Sequence, residues 1–152
     1  MFSAETMITM GDSSYKHINL IKVNDIIVNK LLKAVKVTQI HKIIAQAAVG
    51  IQLNNGTGVF YCDSSSKFLC HNIETNNSHV SDYTTIEDLH NFSGHSAYLK
   101  SSPIMFGSDT DVSITTYDDP TPPHIKDLYC LHTNDQTQTF YANKVITLCD
   151  SR

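Results

Sequence analysis

Eight histidines and four cysteines are the residues of this 152-residue chain that could bind a metal or attack a carbonyl group. Two cysteines stand close to a histidine, in Cys70-His71 and in Cys130-Leu131-His132, whereas Cys62 and Cys149 do not. A structural zinc site takes four nitrogen or sulfur ligands, so the two pairs could form one if the fold joined them. The chain has no C-x-x-C or H-E-x-x-H pattern. Buried thiols and dispersed histidines, with no metal and no cofactor, are therefore the favoured interpretation, and a Cys/His zinc module is the alternative.

Charge and length limit the classes of protein to which the chain can belong. It has 11 basic and 15 acidic residues, a formal net charge of −4, and is 41% hydrophobic and 17% charged. This balance argues against nucleic-acid binding, and no apolar run approaches the ~18 residues of a membrane span. The first residues lack the basic and then apolar order of an export signal. We expect one intracellular, monomeric domain over residues 1–152, with neither a nucleic-acid nor a membrane partner.

The periodicity of apolar residues predicts a chain made mostly of strands. Residues 35–44 are rich in Val, Ile and Thr and partly alternate, as in a half-buried strand. A helix over residues 26–49 is the alternative, because Val28, Leu31 and Val35 also have helical spacing. The density of β-branched residues favours the strand.

Turn signals divide the rest of the chain into short segments. Asn54-Asn55-Gly56-Thr57-Gly58 predicts a turn between 49–53 and 59–62, and therefore a hairpin. Further along, the sequence predicts a polar loop over 71–96 with one helical turn over 85–89 as its alternative, and a proline-extended connector over 118–123. It also predicts a hairpin over 128–148 with a polar turn at Asn134-Asp135-Gln136.

Both ends of the chain resemble one known family. Residues 2–14, followed by 16–18 and 21–27, are similar to the opening of a Hint (hedgehog/intein) domain, which reads Cys-Phe-x-x-x-Thr, a hydrophobic strand, a tight turn and Ile-x-x-Ile-x-x-Gly-Asp. Residues 128–131 and 139–147 resemble the paired strands that close it. The resemblance spans nearly the whole chain. It implies an all-β, hairpin-rich, horseshoe-shaped single domain in which the N- and C-terminal strands are adjacent.

The resemblance also implies a chemistry, which is acyl transfer within the protein's own precursor. A Cys at the first position attacks the preceding peptide carbonyl and converts an amide into a thioester. A Thr-x-x-His motif holds that amide, and its His protonates the leaving nitrogen. In splicing, a terminal His-Asn pair then cyclises. The implied partners are the flanking segments of the same polypeptide.

This sequence departs from the family pattern at each chemical position. Met1 occupies the place of the nucleophilic Cys, and its thioether has no ionisable thiol. Asp63 and Ser66 fall at the Thr and His of the Thr-x-x-His motif, and a serine is no general acid at neutral pH. Leu148 and Cys149 stand where the terminal His-Asn is expected.

Cys130 offers a second way to start the reaction. It stands where the family commonly has Asp, and some inteins that lack the first Cys use a Cys there as nucleophile. Those inteins also carry a Thr before the terminal pair, which matches Thr147, and a Trp for which Phe68 stands here. We expect either a nucleophilic Cys130, beside the bond at the amino end, or an inert buried thiol. His71 and His132 are the histidines nearest in sequence to replace the missing motif His.

Two functions follow from the resemblance. The first is intein-like self-processing, impaired in this chain because Met1 holds the nucleophile position. The second is a degenerate Hint fold that serves as a structural or interaction module of a larger protein. A high content of Asn, Ile and Lys fits an AT-rich genome, so we expect a virus- or phage-encoded protein.

Overall fold

Strands form the regular structure of the described residues, apart from one turn of 3-10 helix at Ile18–Leu20. A computed structural model describes residues 1–46, 48–53, 59–71, 81–85, 98–99, 110–114 and 124–148. The strands are β1 Phe2–Ser3, β2 Met7–Thr9, β3 Tyr15–His17, β4 Ile26–Val28, β5 Ala34–Ile44, β6 Val49–Leu53, β7 Val59–Cys62, β8 Lys67–His71, β9 Ser81–Thr85, β10 Tyr98–Leu99, β11 Thr110–Ile114, β12 Asp127–Thr133, β13 Thr139–Ala142 and β14 Val145–Leu148.

The strands form one antiparallel sheet that curls back on itself. Its order is β3-β2-β13-β14-β8-β10-β11-β6-β7-β1-β12-β5-β4, with β9 added beside β8. The two ends of this path meet, because Met10 bridges to Ile27 and the Gly11 amide donates to the Ile26 carbonyl at 2.9 Å. The all-β, hairpin-rich prediction is therefore confirmed, and the first strand lies beside β12 near the carboxyl end.

Residues 35–44 lie within β5, as their β-branched composition predicts, and the helical alternative over 26–49 is wrong. Val28 and Val35 are both 8% exposed, but Leu31, on the same helical stripe, is 57% exposed. A helix would have buried all three on one face. Between β4 and β5, the chain instead makes a turn around the buried side chain of Asn29.

The first predicted hairpin is observed, whereas the second turns at Asn143-Lys144 and not at the predicted residues 134–136, because β12 pairs with other strands than β13. β6 pairs with β7, and the Asn-Gly segment 54–58 lies outside the described residues. The carboxyl-terminal hairpin consists of β13 and β14. Asn143 (φ 46°) and Lys144 (φ 71°) form its turn, and two successive positive φ angles are typical of the tight turn that matches strand twist. The remainder of that segment, β12, pairs with β1 and β5 instead.

Residues 81–85 of the polar segment 71–96 form a strand where the sequence predicts a loop. Ser81–Thr85 forms β9, which pairs along the whole length of β8. Backbone pairing with a neighbouring strand has overridden the polar composition there. Of the helical alternative over 85–89, Thr85 ends a strand, and 86–89 lie outside the described residues, as does the connector over 118–123.

Four phenylalanines from four strands form the centre of the main core. Phe2 contacts Phe60, Phe68 and Phe140 with ring centroids 6.3, 5.8 and 5.9 Å apart. All four side chains are buried. The first strand is thus anchored by its aromatic side chain as well as by two neighbouring strands. The described part of the chain includes no helix that is long and apolar enough to cross a membrane.

Candidate functional site

The amino end lies in the middle of the sheet, between β7 and β12. Phe2 is in register with Cys62 on one side and with Tyr129 on the other, and Ser3 is opposite Leu128. A residue held by backbone pairing on both sides has little freedom. The sheet therefore fixes the position of Met1 and of any bond at its nitrogen.

The turn that joins β7 to β8 holds the backbone of Met1. The Met1 nitrogen donates to Asp63 Oδ1 and to Ser66 Oγ, each at 2.8 Å. The Asp63 amide donates to the Met1 carbonyl at 3.2 Å, and Ser66 Oγ lies 3.3 Å from the same oxygen. The turn is closed by the Ser66 amide on the Asp63 carbonyl at 3.1 Å. The two residues that the resemblance aligns with the Thr-x-x-His motif thus both contact the first nitrogen of the chain.

The pKa of the Asp63 carboxylate depends on the amine that it binds. Burial by itself raises the pKa of Asp63. The positive charge of the Met1 ammonium opposes this, and so do hydrogen bonds from the ammonium, Ser66 and Ser65. Together they hold the pKa of Asp63 below its ordinary value. Ser65 Oγ donates to Asp63 Oδ2 at 2.8 Å, which leaves Oδ1 for the Met1 nitrogen and Ser66.

Cys130 lies beside the Met1 side chain. Both are buried in one small cluster with Ala48, Ile125 and Leu128. The Cys130 thiol contacts the carbonyl of the following residue at 3.8 Å. The structure thus brings the Met1 thioether and the candidate thiol together on one face of β1 and β12.

Cys62 lies on the other side of β1 from Cys130, close to the Met1 nitrogen, Asp63 and Ser66. Its thiol is buried in the main core with Phe2, and burial raises the pKa of Cys62 to about 12. A thiol in such surroundings is inert, because the thiolate is the reactive form. Cys62 and Cys130 belong to different clusters.

The last described strand returns to the same turn. Thr147 is opposite Phe68, and its hydroxyl donates to the Lys67 carbonyl at 2.7 Å. Because β14 runs antiparallel to β8, the half-buried Leu148 lies toward the end of β8 that follows Ser66. Cys149 lies outside the described residues.

Two histidines pack beside Cys130 rather than beside the Met1 nitrogen. His41 is directly opposite Cys130 in the β5–β12 ladder, and its ring meets that of His132 edge to face, with centroids 4.9 Å apart. His124 stands against Tyr61 at 6.1 Å, and Tyr61 packs on the cluster that contains Met1. Nothing is described of the His71 side chain.

Sequence reasoning missed Ser65 and Tyr61 at this site. Ser65 lies inside the recognised motif but carries no family signal, and Tyr61 looks like any strand residue. Their roles depend on contacts with Asp63 and with the Met1 cluster, which only the folded chain creates.

Among the described side chains, no group of three or more His, Cys, Asp or Glu residues could hold a metal ion. The Cys130-Leu131-His132 segment of the zinc hypothesis is included in that search, whereas the Cys70 and His71 side chains are not described. The zinc alternative therefore has no support from the described part of the chain.

No family model matches the chain, and no curated protein is similar to it in sequence. Solved structures match over nearly its full length. A DnaB intein from Synechocystis sp. PCC 6803 has a TM-score of 0.66 at 16% identity and covers 98% of this chain and 97% of its own. For the gp41-1 intein the TM-score is 0.64 at 16% identity, with coverages of 97% and 96%. The MchDnaB-1 intein has a TM-score of 0.64 at 11% identity, with coverages of 99% and 100%.

These likenesses show the fold. The chain has the all-β Hint fold of inteins, as the resemblance of its two ends implies.

Proposed function

We propose that this chain is a self-processing domain of the intein type, which transfers the acyl group of the peptide bond that precedes Met1 in a longer precursor. The proposal is carried by the two hydrogen bonds that the Met1 nitrogen donates, to Asp63 Oδ1 and to Ser66 Oγ, each at 2.8 Å. The intein fold supports it as well. The substrates are the flanking segments of its own precursor, which we place in an intracellular, virus- or phage-encoded protein.

Cys130 is the proposed nucleophile. Met1 cannot attack because a thioether forms no thiolate, whereas the Cys130 thiol is buried in the same cluster as the Met1 side chain. Attack on the upstream carbonyl would move the acyl group to Cys130 as a thioester and release Met1 as an amine. We expect this reaction to be slow, because forming a charged thiolate in an apolar cluster is costly.

Processing is proposed to stop at the amino side. The resemblance places Leu148 and Cys149 where a His-Asn pair would cyclise and release the downstream segment. Neither residue can cyclise in that way. Thr147 remains, but its hydroxyl is engaged with the Lys67 carbonyl and holds β14 onto β8.

The test uses a fusion with a tag upstream of Met1. We expect hydroxylamine or dithiothreitol to release the tag slowly, since both cleave thioesters, and Cys130→Ala to abolish release. Leu128→Ala is the matched control, because it removes a buried side chain from the same cluster as Cys130 but removes no thiol. Met1→Cys should accelerate release by restoring the family's nucleophile. Persistence of the intact fusion for days, with both Met1 and Cys at position 1, would contradict the proposal.

A degenerate Hint fold kept as a structural module is the second candidate. It is favoured by Met1 itself, which is 6% exposed and packs as a core residue against Cys130 and Leu128. In this case the residue at the nucleophile position contributes apolar burial alone. A folded Met1→Cys fusion that stays intact with dithiothreitol would support this function over self-processing.

A further inference from the structure

The acid that protonates the leaving nitrogen is missing at its family position, where Ser66 stands. When a peptide bond breaks, its nitrogen must receive a proton, because an amide anion is too poor a leaving group. We propose that Asp63 supplies this proton to the Met1 nitrogen, and that the Ser66 hydroxyl holds the nitrogen and the carboxyl together. This inference rests on the proposed function, and it names the general acid of the same site.

The geometry places the Asp63 carboxyl on the reacting atom. Asp63 Oδ1 lies 2.8 Å from the Met1 nitrogen, within the range that proton transfer requires. Ser66 Oγ is also 2.8 Å from that nitrogen, and it hydrogen-bonds to the same carboxylate oxygen. Ser65 donates to the other carboxylate oxygen and so fixes its orientation. The Met1 nitrogen, Asp63 Oδ1 and Ser66 Oγ are thus joined pairwise by hydrogen bonds and form a closed triangle.

Water has little access to this triangle. Ser66 is 7% exposed, the Asp63 side chain is 20% exposed, and the Met1 side chain covers the adjoining face at 5%. A proton donor built into the protein is therefore needed more here than at an open site. The Asp63 carboxyl is the acidic group that contacts the nitrogen.

The charge state of the site changes when the bond breaks. In the free chain the Met1 ammonium holds the pKa of Asp63 down, whereas burial pulls it up. In the precursor, where Met1 is joined to the upstream segment, the same nitrogen is a neutral amide. No cation at that nitrogen then opposes the effect of burial, which raises the pKa of Asp63. The groups that face this carboxyl are the Met1 nitrogen just before β1, the Cys62 thiol from β7 and the hydroxyls of Ser65 and Ser66. Lys67, at the start of β8, is exposed.

The step balances without an added reagent. The Cys130 sulfur bonds to the upstream carbonyl carbon, and the thiol proton leaves to solvent. As the tetrahedral intermediate collapses, the electron pair of the C–N bond moves to the Met1 nitrogen, which takes the proton of the Asp63 carboxyl. The amine then takes up a proton from solvent. The products are a thioester and the ammonium–carboxylate pair that the structure contains, at 2.8 Å.

The test compares amide and ester junctions in the tagged full chain. Asp63→Asn keeps the shape but removes the acid, so we expect release from the amide junction to slow by about 100-fold or more, for Met1 and for Met1→Cys alike. An ester made with the α-hydroxy analogue of methionine has a leaving oxygen that needs far less protonation. Release from this ester should change by less than about threefold.

Two further variants separate catalysis from folding. Ser66→His, added to Asp63→Asn, should restore at least about tenfold of the lost rate on the amide by supplying a histidine acid. Asp127→Asn is the matched control, because it removes one carboxylate at the start of β12, opposite Ile44, and should leave the rate unchanged. Thermal unfolding checks that each variant is folded.

The outcomes distinguish the two proposals. If the Asp63→Asn variant releases the tag from the amide junction as fast as the parent does, Asp63 is not the acid, although the proposed function stands. The same conclusion follows if Asp63→Asn slows tag release from the amide and ester junctions equally. If the parent and its Met1→Cys variant both fail to release the tag, self-processing is wrong and this inference is wrong with it. Slow amide release, normal ester release and rescue by Ser66→His would together support Asp63 as the proton donor.

Discussion

Asp63 and Ser66 stand where the resemblance at the two ends of the chain implies a Thr and a His, and both contact the first nitrogen of the chain. A carboxylate beside a hydroxyl can hold an N–H group and carry a proton. The two side chains can therefore bind the Met1 nitrogen, although neither is of the type that the family motif contains.

The ion pair at the amino end should make stability depend on pH. Because the pKa of Asp63 is lowered in the folded chain, the carboxylate stabilises the fold above its unfolded value of 3.8, and this contribution is lost as pH falls toward the folded value. At pH 7 we expect Asp63→Asn to lower the free energy of unfolding by about 1–3 kcal/mol. Urea denaturation at pH 7 and below pH 4 measures the difference, which should shrink in acid. A difference that is constant with pH would contradict the assignment.

Short turns position the strands that surround the site. The Asn143-Lys144 turn of the last hairpin docks on β2, where the Met7 amide donates to Asn143 Oδ1 at 2.9 Å and the Asn143 amide donates to the Met7 carbonyl at 2.8 Å. The turn before β5 is organised by Asn29, which is 1% exposed. Buried amides of this kind replace the backbone partners that a strand would supply.

Replacing Asn29 by Ala should destabilise the turn that joins β4 to β5. Asn29 Oδ1 accepts from the Leu31 and Lys33 amides at 2.9 and 3.0 Å, and Nδ2 donates to Asp135 at 2.9 Å. Loss of these bonds at a buried position should cost about 2–4 kcal/mol in the free energy of unfolding. The exposed Asn19→Ala is the control, with an effect under about 0.5 kcal/mol. Equal urea midpoints for the two variants would show that the Asn29 turn is not structural.

At the scale of the whole molecule, one aromatic cluster links distant parts of the chain. Phe2, Phe60, Phe68 and Phe140 come from β1, β7, β8 and β13. One core is therefore shared by β1, which follows the first nitrogen, by the two strands that flank the Asp63–Ser66 turn, and by the final hairpin. Packing at this centre sets the distance between the Met1 nitrogen and the residues that bind it.

Truncating one ring should weaken the whole fold. Phe140 is 0% exposed, so Phe140→Ala should lower the free energy of unfolding by about 3–5 kcal/mol through lost burial and a new cavity. Ile44, at the end of β5, is 75% exposed, and Ile44→Ala should change the free energy of unfolding by less than about 0.5 kcal/mol. Denaturant unfolding compares the two variants. A small effect of Phe140→Ala would show that the cluster is not the centre of the core.

The local elements were largely predictable because their signals are local. The β-branched residues of β5 and the Asn-Gly turn signal between β6 and β7 indicate strands without knowledge of the fold. The polar β9 was not predictable, because its pairing with β8 depends on a partner and not on its own composition. The pairing of β12 was not predictable either, because its neighbours are strands far away in the sequence.

The sequence by itself determined the all-β class, the resemblance at the two ends and the methionine at position 1, where that resemblance implies a cysteine, since each depends on residue type and order alone. Only the tertiary structure decided that Asp63 and Ser66, more than sixty residues away, meet the Met1 nitrogen, and that Cys130 packs beside its side chain. Such contacts arise from strand pairing and core packing over long sequence separations. No local pattern encodes them, because the free energy that holds them comes from the assembled sheet.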